Sequence, residues 1–133
     1  ELSGTCTSQS GTIWYDTCLP QIKGAKIQAP AADAPAMIMA LESGTVDFIC
    51  TDLPTANGAV AKNSNLKVLN FAGTAGDFQF ATDAERAENV NIGVSVKQGN
   101  SELQKLINDV LSTMSESNFN KMMDDAIAIQ PEI

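Results

Sequence analysis

The chain has 133 residues, the length of one ordinary domain, and is 44% hydrophobic, 18% charged and only 5% aromatic, a globular rather than a disordered composition. Eight basic residues against sixteen acidic ones give a net charge of -8, which repels phosphate backbones and argues against nucleic acid as a partner. No run approaches the roughly 18 apolar residues of a membrane helix. The absence of His excludes Ser–His and Cys–His catalytic pairs, imidazole metal sites and a histidine pH switch.

Along the chain, Gly4 and Gly11 bracket Thr5–Ser10, a weak strand signal rich in Thr but poor in Val and Ile. Thr12–Leu19 reads as a helix closed by Pro20 and Gly24, and Ala25–Ala29 as a second strand ending at Pro30. Asp33 suits an N-cap with Pro35 in the first turn, and Ala34, Met37, Ile38 and Leu41 recur at helical spacing until Ser43-Gly44. Val46–Thr51 predicts a third strand, Asp52-Leu53-Pro54 opens a helix through about Lys62, and Leu66–Phe71 predicts a fourth strand. The order βαβαβαβ specifies an α/β domain with a mostly parallel sheet.

Residues 72–89 read as a connecting segment, after which Val90–Val96 restores strand alternation. Ser101 and Gln104 form a capping-box pattern at the head of a helix, on which Leu103, Leu106, Ile107, Val110, Leu111 and Met114 make an apolar stripe. A last helix from about Asn118 turns Phe119, Met122, Met123 and Ala126 inward and ends before Pro131.

Cys6, Cys18 and Cys50 are too widely spaced for a zinc ribbon, so no metal is expected. They read as small buried hydrophobes, with one disulfide and a leftover thiol as the alternative outside the cytoplasm. The acidic residues show no paired spacing suited to acid–base catalysis. The sequence therefore points to a binding protein without a cofactor, not to an enzyme.

In an open parallel sheet, ligands bind beyond the carboxyl ends of the strands. After the first strand, Ser10-Gly11-Thr12-Ile13 provides a tight turn whose N–H groups suit a carboxylate or phosphate. After the third, Thr51-Asp52-Leu53-Pro54 places a carboxylate that either caps the next helix or meets a ligand's ammonium. Together the two places match the opposite charges of a zwitterionic α-amino acid.

The runs Gln9-Ser10-Gly11-Thr12, Ala40-Leu41-Glu42-Ser43-Gly44-Thr45-Val46-Asp47 and Thr51-Asp52-Leu53-Pro54, with the tail Lys97-Gln98-Gly99-Asn100-Ser101-Glu102-Leu103, resemble the type 2 solute-binding proteins of ABC importers. The polar amino-acid family (family 3) is the nearest branch. The resemblance implies one lobe of a type 2 periplasmic-binding-protein fold with a three-layer, mostly parallel sheet. Residues 1–88 then correspond to the second, ligand-clamping lobe, and residues 89–133 to the return strand and C-terminal helices that complete the first lobe. It implies that Gly11, Thr12 and the N–H of Ile13 bind an α-carboxylate and that Asp52 accepts the α-ammonium. Gln9, Ser10, Trp14 and Thr51 join them in the site, whereas Glu42, Ser43, Gly44 and Asp47 belong to the framework.

The function implied is the substrate-binding component of an amino-acid import system, read here as a piece of a longer receptor. It works outside the cytoplasm, periplasmic or as a membrane-anchored lipoprotein, and delivers to an ABC permease. A ligand-sensing domain of a regulator or receptor with the same fold is the alternative. The exposed stripe of the helix from Ser101 leads to an expectation of self-association.

Overall fold

A computed structural model describes residues 2–129, which fall into two units meeting at Thr82/Asp83. The first unit is mixed α/β around a three-stranded parallel sheet of order β2-β1-β3, formed by β1 (Ser3–Thr7), β2 (Gly24–Ile27) and β3 (Phe48–Ile49). Cys6 faces Ile27 on one side and Phe48 on the other, so β1 is paired along both edges.

The connection from β1 to β2 carries a single π-helical turn, Trp14–Cys18, and a 3₁₀ turn, Leu19–Gln21. A continuous α-helix over Thr12–Leu19 does not form. Pro20 sits in the first turn of the 3₁₀ segment, and its missing N–H stops any α-ladder from running through it.

The helices α1 (Ala34–Glu42) and α2 (Leu53–Lys62) begin as the sequence predicts. The Asp33 carboxylate accepts the N–H of Ala36 at 2.8 Å and Asp52 accepts that of Thr55 at 2.8 Å. Each is followed by a Pro in the first turn, where no N–H is needed. The far ends of the two helices are joined where Asn63 Nδ2 donates to Glu42 Oε1 at 2.9 Å.

The core is small. Cys6, Cys18, Leu19 and Cys50 form one buried cluster, flanked by Trp14, Tyr15, Ile22, Phe48, Phe78 and Phe80, while Met37 and Val46 are buried beneath α1 and ahead of β3. All three cysteines are in the thiol form and buried, as expected of small hydrophobes.

Two further features fasten the sheet. The Asp47 carboxylate accepts both the N–H and the hydroxyl of Thr5 at 2.7 Å. Gly4 makes room for it: at φ +139° a Cβ there would stand 2.7 Å from Asp47 Oδ2, so any side chain would displace the carboxylate and strain the backbone. On the opposite flank, the Gln21 amide bonds reciprocally to the backbone of Gln79, donating at 3.0 Å and accepting at 2.8 Å. That clip and the packing of Phe78 and Phe80 on the core fix a stretch that composition alone marks as a connector.

The predicted fourth strand, Leu66–Phe71, carries no regular structure and joins no sheet among the described residues. Leu66 and Val68 are half-buried while Leu69 and Phe71 are 52% and 45% exposed. The alternation thus reflects one-sided packing, not a ladder.

In the second unit, α3 (Asp83–Val90), α4 (Ser101–Leu111) and α5 (Glu116–Ala128) follow one another. The first lies in the segment read as a connector. Asp83 and Glu85 in its first turn complement the positive helix end. The strand predicted over Val90–Val96 is absent: Val90 closes α3, and the rest carries no regular structure, with Ile92 87% and Val94 61% exposed.

The cap of α4 is Asn100, which accepts the N–H of Leu103 at 3.3 Å, so the Ser101–Gln104 box is not used. A reciprocal capping box does open α5, between Ser115 and Asn118, with the helix starting at Glu116 instead of near Asn118. No described residue of this unit is buried, and Leu103, Leu106 and Val110 on α4 are 43–62% exposed. Pro131, the predicted stop of the last helix, lies outside the described residues.

Candidate functional site

Parallel pairing sends β1 and β3 out of the same edge of the sheet, so the two candidate segments emerge from adjacent strands. A set of short polar contacts ties those exits together. The Cys50 N–H donates to the Thr7 carbonyl at 3.2 Å, and the buried Ser8 hydroxyl returns a bond to the Cys50 carbonyl at 2.6 Å. Thr7 Oγ1 donates to the Ala29 carbonyl at 2.8 Å, and Ala31 bonds Ser8 and Ser10 through its N–H and carbonyl at 2.9 and 2.8 Å. The chain leaving β1 is therefore held from both sides as far as Ser10.

Beyond Ser10 the backbone turns at Gly11, whose φ of +70° lies in the left-handed region that glycine enters without penalty. A Cβ at Gly11 would meet nothing within 4 Å, so the outer side of this turn is open. The Thr12 hydroxyl donates to the Gln9 carbonyl at 2.8 Å, while the Thr12 carbonyl accepts the N–H groups of Tyr15 and Asp16 at 3.1 Å. Among the described residues the N–H groups of Gly11, Thr12 and Ile13 reach no acceptor. Three consecutive donors are thus left without a protein partner on a turn that is exposed at Ser10 and Gly11.

On the neighbouring strand exit, half-buried Asp52 heads α2. Its Oδ1 accepts the Thr55 N–H at 2.8 Å, and Oδ2 accepts the hydroxyls of Thr55 at 2.9 Å and Thr51 at 3.4 Å. An ionised carboxylate offers about four lone-pair positions. Three are engaged, and one acceptor position is left for a cation or donor. Capping and ligand recognition are compatible in this residue.

The structure thus brings Gln9, Ser10, Gly11, Thr12, Ile13, Thr51 and Asp52 to one edge of the sheet. Trp14 stands differently, half-buried and packed on the cluster of Cys6, Cys18, Leu19 and Cys50, so at least part of its ring serves the core. Sequence reasoning passed over Ser8 and Thr55. A Thr-Ser pair in the middle of an inward-facing strand end was the signal for Ser8, and the Asp-x-x-Thr spacing of a helix cap was the signal for Thr55.

Two open cavities, of about 380 and 320 Å³, lie in the second unit, one against Val96–Ser101 and one along Leu106–Leu111. Neither includes a residue of the strand-end site. Among the described residues no cluster of three or more His, Cys, Asp or Glu is placed to hold a metal, and no helix is long and apolar enough to cross a membrane. Comparison with family models, curated proteins and solved structures yields no match.

Proposed function

We propose that this chain is the ligand-clamping lobe of an extracytoplasmic solute-binding protein, taking an α-amino acid for an ABC importer. On this reading its sheet is the middle of the three layers of a type 2 periplasmic-binding-protein lobe. One observation carries the proposal: the unpartnered N–H groups of Gly11–Ile13 and the unfilled acceptor position of Asp52 emerge from adjacent parallel strands. An anion cradle beside a carboxylate is complementary to a zwitterion, and the partners of each charge are already pre-organised by the Ser8 and Thr55 bonds.

In such a complex the ligand carboxylate accepts from Gly11, Thr12 and Ile13, and its ammonium donates to Asp52. Gln9, Ser10, Trp14 and Thr51 flank the ligand side chain. A second lobe supplies the opposing wall, and the permease in the membrane is the partner to which the closed clamp delivers. The motif runs around Ala40–Asp47 and Thr51–Pro54 resemble those of the polar amino-acid receptors and support the same assignment.

Calorimetric titration with a panel of α-amino acids, repeated on Asp52→Asn, tests the reading. Asn is as good an N-cap as Asp, so the helix is retained while the charge is removed. Loss of the partner of a desolvated ammonium costs about 2–5 kcal/mol, and the affinity should fall more than tenfold with the unfolding midpoint nearly unchanged. An unaltered affinity, or binding of no α-amino acid, overturns the proposal.

A further inference from the structure

The candidate site is straddled by a cluster of three thiols whose chemistry it does not use. Cys6 lies in the middle of β1, Cys18 closes the π-helical turn that follows Ile13, and Cys50 immediately precedes Thr51 and Asp52. All three share one buried cluster with Leu19.

The register decides which of them can be joined. Cys6 stands opposite Phe48, and Thr7 opposite Ile49. The bonds from Cys50 to Thr7 and from Ser8 to Cys50 extend that register by one residue, so Cys50 lies beside Ser8. Cys6 and Cys50 are therefore diagonal neighbours two residues out of register, which at a strand spacing of about 4.8 Å and a rise of about 3.3 Å per residue puts their Cα atoms about 8 Å apart. A disulfide spans roughly 4.4–6.8 Å between Cα atoms, so the two strand residues cannot be bridged within this sheet.

Cys18 belongs to the turn outside the sheet and is buried in the same cluster as the other two. Of these, Cys6 is held in ladders on both sides, whereas Cys50 lies past the end of β3 and is tied on one side alone, to Thr7 and Ser8. Exposure follows the same order, 0% for Cys6 and 7% for Cys50.

We propose that under oxidising conditions Cys18 and Cys50 form a disulfide and leave Cys6 as a thiol. The bond staples the turn that follows Gly11–Ile13 to the segment that leads into Asp52. It would fix the spacing of the two arms of the site, whatever ligand the site takes. The step is balanced by a soluble disulfide such as oxidised glutathione: the two thiols lose their protons, one S–S bond forms, and the two electrons reduce the reagent to two thiols.

Burial, joined by the nearby Cys18 and then Cys6, pushes the Cys50 thiol up to about 12. Thiolate is scarce in the folded chain, and exchange there is slow. The bond is accordingly expected to form as the chain folds. The test is to refold the full chain with excess oxidised glutathione, quench with acid, and count thiols under denaturing conditions. The titre should fall from the three of the reduced chain to one. Chymotryptic cleavage after Trp14 or Tyr15 separates Cys6 from Cys18, and the linked peptides should contain Cys18 and Cys50. Cys6→Ala should retain the bond, and Cys18→Ala and Cys50→Ala should abolish it. A titre that stays at three, or a linked peptide that contains Cys6, overturns the proposal; both readouts use the unmutated protein and are independent of amino-acid binding.

Discussion

Replacing Ser8 by Ala removes one hydroxyl and nothing else, at a position with 0% exposure. That hydroxyl donates to the Cys50 carbonyl at 2.6 Å, joining residues 42 apart in sequence. The volume change is small, so the cost is that of breaking a buried hydrogen bond, about 1–3 kcal/mol. For a chain of this size each kcal/mol lowers Tm by about 3–5 °C, which gives a fall of about 3–15 °C. Thermal and urea denaturation followed by circular dichroism measure it directly. Ser10→Ala is the control, because Ser10 is exposed and surface substitutions of this kind stay within about 0.5 kcal/mol. If Ser8→Ala and Ser10→Ala unfold together within that margin, the latch between the two strand exits has no energetic weight, and the pre-organisation argued for the site fails with it.

Two other outcomes follow from contacts outside the site. The hydroxyl of Thr5, then its N–H, with Lys26 adding a smaller contribution, hold the Asp47 carboxyl below its ordinary range. A depressed folded-state pKa contributes stability that is present above the unfolded value and lost as pH falls through the folded one. Acid titration of unfolding should therefore show a loss below about pH 4 that Asp47→Asn flattens. Gln21→Ala removes both bonds to Gln79 and should speed amide exchange at Gln79 by about tenfold, the equivalent of about 1.4 kcal/mol, while exchange in β1 stays the same.

What could be read from the sequence was the part determined locally. Asp33 and Asp52, each with a Pro shortly after it, announce two helix starts through capping chemistry that needs no distant partner. The two strand-end segments were legible for the same reason, since a Gly at positive φ and an Asp before a helix are local signals. Leu66–Phe71 and Val90–Val96 alternate as strands should, but a strand exists only where a neighbour completes its ladder, and alternation says nothing of the neighbour. The π-helical turn at Trp14–Cys18 escaped because Thr12–Leu19 holds no Gly or Pro and reads as one helix closed by Pro20 and Gly24, whereas Pro20 falls inside the first turn of a separate 3₁₀ segment. Ser8 was overlooked because a Ser on a strand is ordinarily unremarkable; its role comes from a carbonyl 42 positions away.

Those long spans carry a consequence for how the first unit is made. Thr5 with Asp47 and Ser8 with Cys50 are 42 residues apart, and Gln21 with Gln79 is 58 apart. The β2 edge of β1 can close once Ile27 is made, but the β3 edge and the bonds to Asp47 and Cys50 wait until synthesis has passed Cys50, and the aromatic pair Phe78 and Phe80 reaches the core later still. An emerging chain thus carries its opening strand with one open edge until β3 follows, and the cluster around Cys6 and Cys18 stays incomplete over the same interval.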